Sequence, residues 1–457
     1  MHKKYSLSHS LKTRHILMIA LGCAIGTGLF LGAGESIHQA GPSILLAYAI
    51  GGIMMYFVVR ALTEMTVHEP NAGSFSYYAN KYIGNYAGFI AGWNYWFNYI
   101  IVCMLELTAA TMFLDYWFAD FPHWISALFI LVFFIGINLL NVRLFGEFEF
   151  WFAGIKVVTI IALVLFGIYL IFFHQGLNNN VQANISNLWQ YGGFFANGIN
   201  GFLLSFVVVV FAFGGTELVG ITAAEAKNPK RIIPLAVNGI IFRIILFYIA
   251  TLAIIMCLYP WNQITPNVSP FVDVFTKIGI SKAATIMNIV VITAALSSFN
   301  SGIYGTARMM YSLAHQNNAP RVFGRLNNNG IPYMAVLLSL ICIFAVVILN
   351  YLYPKKLFLI LIAIAAIAAM VNWILILITQ IYFRNKVNKQ EIGYKMPFFP
   401  VASILAIIFF IIIIITMSQT QSMRLAIYIA PAWLIALSLG YFIKTKISKT
   451  IVVKKSI

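Results

Sequence analysis

Hydrophobic positions in this chain neither alternate with polar ones nor form a one-sided stripe; they run almost unbroken for long stretches and then stop at short polar connections. Crossing about 30 Å of hydrocarbon takes ~20 residues of helix. Twelve stretches reach that length, at about 16–40, 42–67, 86–114, 123–142, 149–173, 197–222, 235–259, 283–314, 332–353, 357–382, 397–417 and 424–443. The pattern therefore predicts an all-α polytopic membrane protein with twelve transmembrane helices. The eighth stretch is too long to cross without tilt or protrusion.

Composition excludes the soluble alternatives. Of 457 residues, 61% are hydrophobic and 9% charged, with a mean hydropathy of +0.89, so a solvated enzyme surface cannot be built. Lys and Arg number 29 against 12 Asp and Glu, a net charge of +17 that in a soluble domain would suggest nucleic acid. Here the basic residues fall in short connections. With a cytoplasmic N-terminus, twenty lie on the inner side and only Lys277, Lys282, Lys355, Lys356 and Arg424 on the outer; Arg60, Lys156, Arg243 and Arg308 lie inside spans. That bias predicts both termini in the cytoplasm and a place in the plasma membrane, the inner membrane of a bacterium. Lipid is the expected surroundings, and no nucleic-acid partner is expected.

The expected organisation is a cytoplasmic segment at 1–15, a ten-helix core at 16–382 in halves 16–173 and 197–382, two additional helices at 397–443, and a cytoplasmic tail at 444–457. The connection at 174–196 carries Asn178, Asn179 and Asn180 but no Lys or Arg, as suits an exterior loop. The basic N-terminal segment opens straight into a hydrophobic run without a small-residue cleavage site, so no removable signal peptide is expected. Cys23, Cys103, Cys257 and Cys342 all lie in apolar runs and imply neither a disulfide framework nor a zinc site. No long soluble module is attached, so function is expected in the helical bundle, and transport leads the candidate classes.

Two spans are interrupted. The first holds Gly26-Thr27-Gly28-Leu29 and the sixth Gly215-Thr216-Glu217-Leu218, a shared Gly-Thr-x-Leu, each in the first span of a candidate five-helix repeat. Five is odd, so the second repeat enters from the opposite side and the pair has inverted topology. Glycine lets the backbone unwind at mid-membrane, where free peptide groups are tolerated only along a cavity. The half-helix beginning near Gly28 presents amides and a positive dipole end suited to a carboxylate. The half-helix ending near Phe211 to Phe213 presents carbonyls suited to an ammonium group. Together they describe an α-amino acid, against the plainer reading that glycine clusters permit close helix packing.

Ionisable residues inside the spans are costly and point to function or to hydrogen-bonded burial. Lys156 lies about seven residues into its span, close enough to the cytoplasmic end for snorkelling to compete with a buried amine. Glu106 is some twenty residues into the third span, too deep to snorkel; selectivity or proton handling stands against a protonated structural carboxyl. Glu217 can cap the second half-helix or touch the substrate. Arg60 and Glu64, four apart, read as a helix-end ion pair. Arg243 and Arg308 read as interfacial or gate residues, and Trp93, Tyr95, Trp96 and Tyr99 as an aromatic girdle or packing stripe. No His-Glu-x-x-His, P-loop or Cys-x-x-Cys motif occurs, so metal hydrolysis, nucleotide-driven pumping and redox relay find no support.

These breaks, with Gly41-Pro42-Ser43, Arg60-Ala61-Leu62-Thr63-Glu64-Met65, Gly92-Trp93-Asn94-Tyr95-Trp96, the run Phe145 to Trp151, Ala224 to Pro229, Tyr259-Pro260-Trp261, Ser269-Pro270-Phe271-Val272, Arg308-Met309-Met310 and Ala319-Pro320, resemble the amino acid/polyamine/organocation superfamily over nearly the whole chain. Within it the chain is similar to bacterial amino acid permeases of the proline, aromatic and GABA type. The resemblance implies a LeuT-like five-plus-five inverted repeat with two further helices, alternating access, and proton-coupled uptake with no cofactor beyond the proton gradient. It implies a carboxylate cradle at Gly26, Thr27 and Gly28, amine-binding carbonyls at Phe211, Ala212 and Gly214, Phe213 as a gate, and Ser298, within Ser297 to Ser301, facing the site. Gly215, Thr216 and Glu217 would shape the break. A lysine in the fifth helix stands, in sodium-independent relatives, where sodium-coupled members hold an ion, which implies proton coupling at Lys156. A non-enzymatic permease importing a neutral α-amino acid such as proline or an aromatic is the expectation. An exchanger, a polyamine carrier or a non-transporting sensor are the alternatives; a sensor would couple to an output domain, and both termini are short.

Overall fold

The computed structural model describes residues 25–455 apart from 72, 141, 174–182, 223–227, 267, 354–355, 389 and 421–422. The expected cytoplasmic segment, the start of the first span with Gly22 and Cys23, the asparagines 178–180 and residues 224–227 lie outside the described residues. Every regular element among the described residues is helical. Two short helices, α1 (Thr27–Phe30) and α2 (Gly32–Ala40), are followed by α3 (Ile44–His68), α4 (Ser74–Tyr82), α5 (Asn85–Leu114), α6 (His123–Leu140) and α7 (Val142–Phe173). The second half holds α8 (Gly198–Ala212), α9 (Leu218–Thr222), α10 (Pro229–Asn238), α11 (Ile240–Arg243), a π-helical segment Ile244–Ala250 and α12 (Thr251–Leu258). Then come α13 (Pro270–Lys277), α14 (Ser281–His315), α15 (Tyr333–Leu352), α16 (Leu357–Lys386), α17 (Val401–Met417) and α18 (Arg424–Lys455).

Among the described residues, eight helical stretches are long and apolar enough to cross a membrane, and α8, α17 and His123–Asn138 are shorter apolar helices. The chain is a multi-pass helical membrane protein. Burial sorts the helices by position. α14 and α16 both pack on α5, and the three form the buried centre, whereas the Arg424–Lys446 stretch of α18 is 11% buried and lies at the periphery. Phe129, Trp151, Phe172 and Ile411 are exposed outward, where lipid rather than water makes large apolar side chains favourable. At 35 residues α14 is about 52 Å long, which takes it past the hydrocarbon.

The structure corrects several readings of the sequence. The helices α4 and α13 fall in connections that carried no predicted element; both are too short and too polar to read as spans, and they form because Phe75 and Tyr78, or Phe271 and Phe275, bury on the bundle. Arg60 and Glu64 do not pair with each other. Glu64, fully buried, takes the Arg384 guanidinium, the Gln380 amide at 3.2 Å and the Met396 backbone N–H at 2.7 Å. Arg60 instead stacks 3.8 Å from the Tyr394 ring and donates to Asn238 and the Lys395 carbonyl. Residues 394–396 offer peptide groups that need partners, so they draw the two side chains apart and fasten this connection to α3. Arg243 and Arg308 are buried within the bundle, and Arg308 stacks 4.5 Å from Tyr304.

Removing one member of a buried charge pair strands the other. Arg384→Ala is expected to cost roughly 3 kcal/mol, whereas Arg60→Ala, with exposed partners, costs under about 1 kcal/mol. Thermal unfolding of the two variants in detergent checks this; equal losses would show that charge burial is not what holds the connection.

Candidate functional site

A helix begins where the sequence placed the break in the first span. Gly26 has an extended backbone, φ −118° and ψ −160°, and its carbonyl accepts the first helical bonds from Leu29 and Phe30, so α1 begins at Thr27. The chain turns again at Leu31 before α2. The sixth-span break runs from Phe213 to Glu217. Its carbonyls are redirected locally: Phe211 accepts from the Gly214 N–H at 2.9 Å and Phe213 from the Thr216 hydroxyl at 3.0 Å, while Gly215 at φ +94° supplies the left-handed residue that reverses the path. Thr216 and Gly215 thus shape the break.

The two breaks touch. A methyl group at Gly28 would sit 2.6 Å from the Ala212 Cα and 3.0 Å from the Phe211 ring, so only glycine lets α1 lie against the end of α8. A methyl group at Gly26 would sit 2.8 Å from Ser298 Oγ and 3.0 Å from Glu106 Oε1. Around this contact lies a cavity of about 540 Å³ of atom-free space, its mouth included. Gly26, Gly28, Glu106, Phe211, Ala212, Gly214, Gly215, Glu217 and Ser298 all line it, which gathers most of the sequence-predicted residues at one place.

Its polar groups are incompletely satisfied. Glu106 Oε2, Ser298 Oγ, Asn98 Oδ1 and Glu217 Oε2 are buried without a hydrogen-bond partner among the described residues, as is Oγ1 of Thr27, which stands between Gly26 and Gly28 but does not itself line the cavity. Each such group in an apolar interior costs roughly 1–3 kcal/mol, which a polar ligand relieves. Glu217 directly precedes α9, and its other oxygen accepts from the Tyr99 hydroxyl at 3.0 Å at the cavity wall.

Three predicted residues meet surroundings that the sequence did not give. Phe213 does not line the cavity; it is buried between Tyr48 and Tyr248, with ring centroids at 5.9 and 4.9 Å, and Phe211 is the phenylalanine that faces the space. The Ala212 carbonyl already accepts from the Tyr248 hydroxyl at 2.9 Å, an interaction supplied by the π-helical segment. Lys156 lies fourteen residues beyond the start of α7, fully buried, its amine 2.9 Å from Ser297 Oγ, so it does not snorkel.

The sequence reading passed over Asn98, Val102 and the small pair Ala365 and Ala369 as site residues and took Tyr99 for a girdle or packing residue; all five line the cavity. Tyr99 and Val102 precede Glu106 by seven and four residues, the spacing of one helix face, and that periodicity is the signal that could have found them. Glu149 was also passed over; it is fully buried and accepts from Ser297 at 2.6 Å.

Comparison with known proteins gives a match to the family model described as amino acid permease over residues 15–452. The chain is 43% identical over 447 residues to the aromatic amino acid transport protein AroP of Escherichia coli (strain K12), covering 97% of each chain. It is 44% identical, with the same coverage, to AroP of Salmonella typhimurium (strain LT2), and 45% identical over 443 residues, 96% of each, to the uncharacterized amino acid permease YtnA of Bacillus subtilis (strain 168).

Gly28→Val is expected to force α1 and α8 apart and abolish the cavity, whereas Gly26→Ala crowds only Ser298 and Glu106 and weakens ligand affinity roughly tenfold, about 1.4 kcal/mol. Ligand-induced thermal stabilisation measures both. A Gly28→Val protein that keeps wild-type affinity would show that the two breaks do not form the binding site.

Proposed function

Because the chain belongs to the amino acid permease family, we propose that it imports a neutral α-amino acid, an aromatic one foremost, together with a proton, by alternating access across the plasma membrane. Membership makes it a transporter of amino acids rather than an enzyme. The aromatic preference draws on the relatives named as aromatic amino acid transport proteins, which favour it over proline. In this reading residues 16–382 form a five-plus-five inverted repeat, 397–443 add two helices to make twelve, and both termini face the cytoplasm. The echo of Gly26-Thr27-Gly28-Leu29 in Gly215-Thr216-Glu217-Leu218 supports the repeat, and the basic-residue bias supports the orientation.

The observation that carries the proposal is the contact of Gly28 with Ala212 beside buried oxygens that lack partners. The first amides of α1 bind the substrate carboxylate, with the positive end of the helix dipole behind them. The Gly214 carbonyl takes the ammonium group; those of Phe211 and Ala212 contribute only beside their bonds to the Gly214 N–H and the Tyr248 hydroxyl. The substrate side chain lies toward Tyr99, Val102, Ala365 and Ala369, with Phe211 as its aromatic neighbour. Glu106 Oε1 lies beside Gly26, so a substrate carboxylate held there stands near it, and two carboxyl groups in close contact share one proton rather than both ionising. That pairing keeps the Glu106 carboxyl protonated while substrate is bound, and the proton that travels with substrate is handled at Lys156.

The test is a thermal-shift screen of the purified protein against the amino acids, polyamines and GABA, followed by uptake into proteoliposomes with and without a pH gradient. Stabilisation by aromatic amino acids and gradient-driven accumulation are expected, and Lys156→Ala lowers accumulation while sparing exchange. Stabilisation by a polyamine alone, or accumulation indifferent to the gradient, would put the carrier or exchanger reading in its place.

A further inference from the structure

Glu149 and Lys156 stand seven residues apart on α7, two helical turns, and so share one face. Both are fully buried, and so is Ser297 of α14, which joins them. The Lys156 amine donates to Ser297 Oγ at 2.9 Å, and the Ser297 hydroxyl donates to Glu149 Oε1 at 2.6 Å. The second oxygen, Oε2, is buried without a hydrogen-bond partner among the described residues. The next residue along α14, Ser298, lines the substrate cavity, as does Ser301 one turn further.

From this geometry we infer that Glu149 is the positioning residue and counter-charge of Lys156, and that the proton carried with substrate is held by the Lys156–Ser297–Glu149 unit. The inference rests on the transport reading above and deepens it. A proton bound to the unit makes a neutral ammonium–carboxylate pair; without that proton the unit bears one negative charge. Proton transfer within it balances: Ser297 accepts a hydrogen from the ammonium as it gives its own to Glu149, leaving an amine and a carboxylic acid with no change in net charge. Its titration therefore belongs to the unit rather than to either residue. A buried ammonium ion alone would be costly in the membrane interior, so the carboxylate favours the loaded state.

The groups around the unit fix which charges matter. From α5, Glu106 lies within electrostatic reach of Lys156, and from α14 the hydroxyl of Ser301 approaches Glu149. From α6, Asn138 donates to Asn300, and the segments Ile244–Ala250 and Thr251–Leu258 carry Tyr248, bound to Ala212, and Cys257. On α7 itself, Glu147 is only partly buried. Glu149 is thus a full counter-charge joined to Lys156 through one hydroxyl, with the Glu106 carboxyl on the substrate side. Since Ser297 and Ser298 are consecutive, a shift of α14 on substrate binding moves the bridging hydroxyl as well.

The experiment is the pH dependence of radiolabelled phenylalanine uptake into proteoliposomes, or of the amino acid that the wild type accumulates if it is another. Glu149→Gln is expected to move the half-maximal pH to the acid side by about one unit, a tenfold loss in proton affinity, and Glu149→Asp to restore most of it. Substrate exchange without a gradient should persist. Ser297→Ala keeps both charged side chains and should move the profile in the same direction, which covers the case of a Glu149→Gln protein that does not fold. A Glu149→Gln or Ser297→Ala profile that superimposes on the wild type, or moves to the alkaline side, overturns this role while leaving the transport reading intact. A wild type that accumulates no amino acid overturns both.

Discussion

A peptide group inside hydrocarbon must be bonded within its own helix or must line a cavity, and everything at the centre of this protein follows from breaking that rule twice at one spot. The close approach of Gly28 to Ala212 brings the start of α1 against the end of α8. Each break alone would strand polar backbone in lipid. Together they share a cavity, and the local bonds of the second break, Gly214 N–H to Phe211 and the Thr216 hydroxyl to Phe213, reduce the number of peptide groups left over. The groups that remain are those with something to bind.

The surrounding helices serve that contact. α5 crosses the cavity with Tyr99, Val102 and Glu106 on one face, α14 brings Ser298 and Ser301, and α16 brings Ala365 and Ala369, small enough to leave space. Tyr248 secures the Ala212 carbonyl from a π-helical segment, a departure from α-helix that is often found where a side chain must be aimed. At a distance from the cavity, the Glu64 and Arg384 pair holds the 394–396 connection against α3. In hydrocarbon the hydrophobic effect cannot drive helices together, so polar contacts of this kind and close packing at small residues carry the specificity of assembly.

Much of this was legible in the sequence, and the reason is physical. Membrane helices announce themselves by length, so the spans at 86–114 and 332–353 differ by only a residue or so from α5 and α15. Glycine clusters within such helices have few explanations, so Gly26, Gly28, Gly214 and Gly215 located the cavity. What stayed hidden depends on rotation and on long-range partners. Phe213 and Phe211 are two residues apart, and no periodicity says which of them faces the cavity across a broken helix. Arg60 and Glu64 are ideally spaced for each other, yet each meets partners more than a hundred residues away. α4 and α13 bury aromatic residues against the bundle from segments too short to carry a membrane signal.

The depth of Lys156 shows how one boundary changes a chemical argument. Taken from residue 149, the helix leaves the amine near enough to an end for snorkelling, and its charge would then be solvated. The helix begins at Val142, and the amine ends on Ser297 with no exposure. Its charge must then be met inside the protein, and the same seven added residues place Glu149 within the helix on the face that can meet it. A buried cation in a membrane is tolerable when a carboxylate is joined to it, and the joining hydroxyl lies one residue from the cavity wall. In the proposed reading, proton affinity and substrate binding are in that way tied to a single turn of α14.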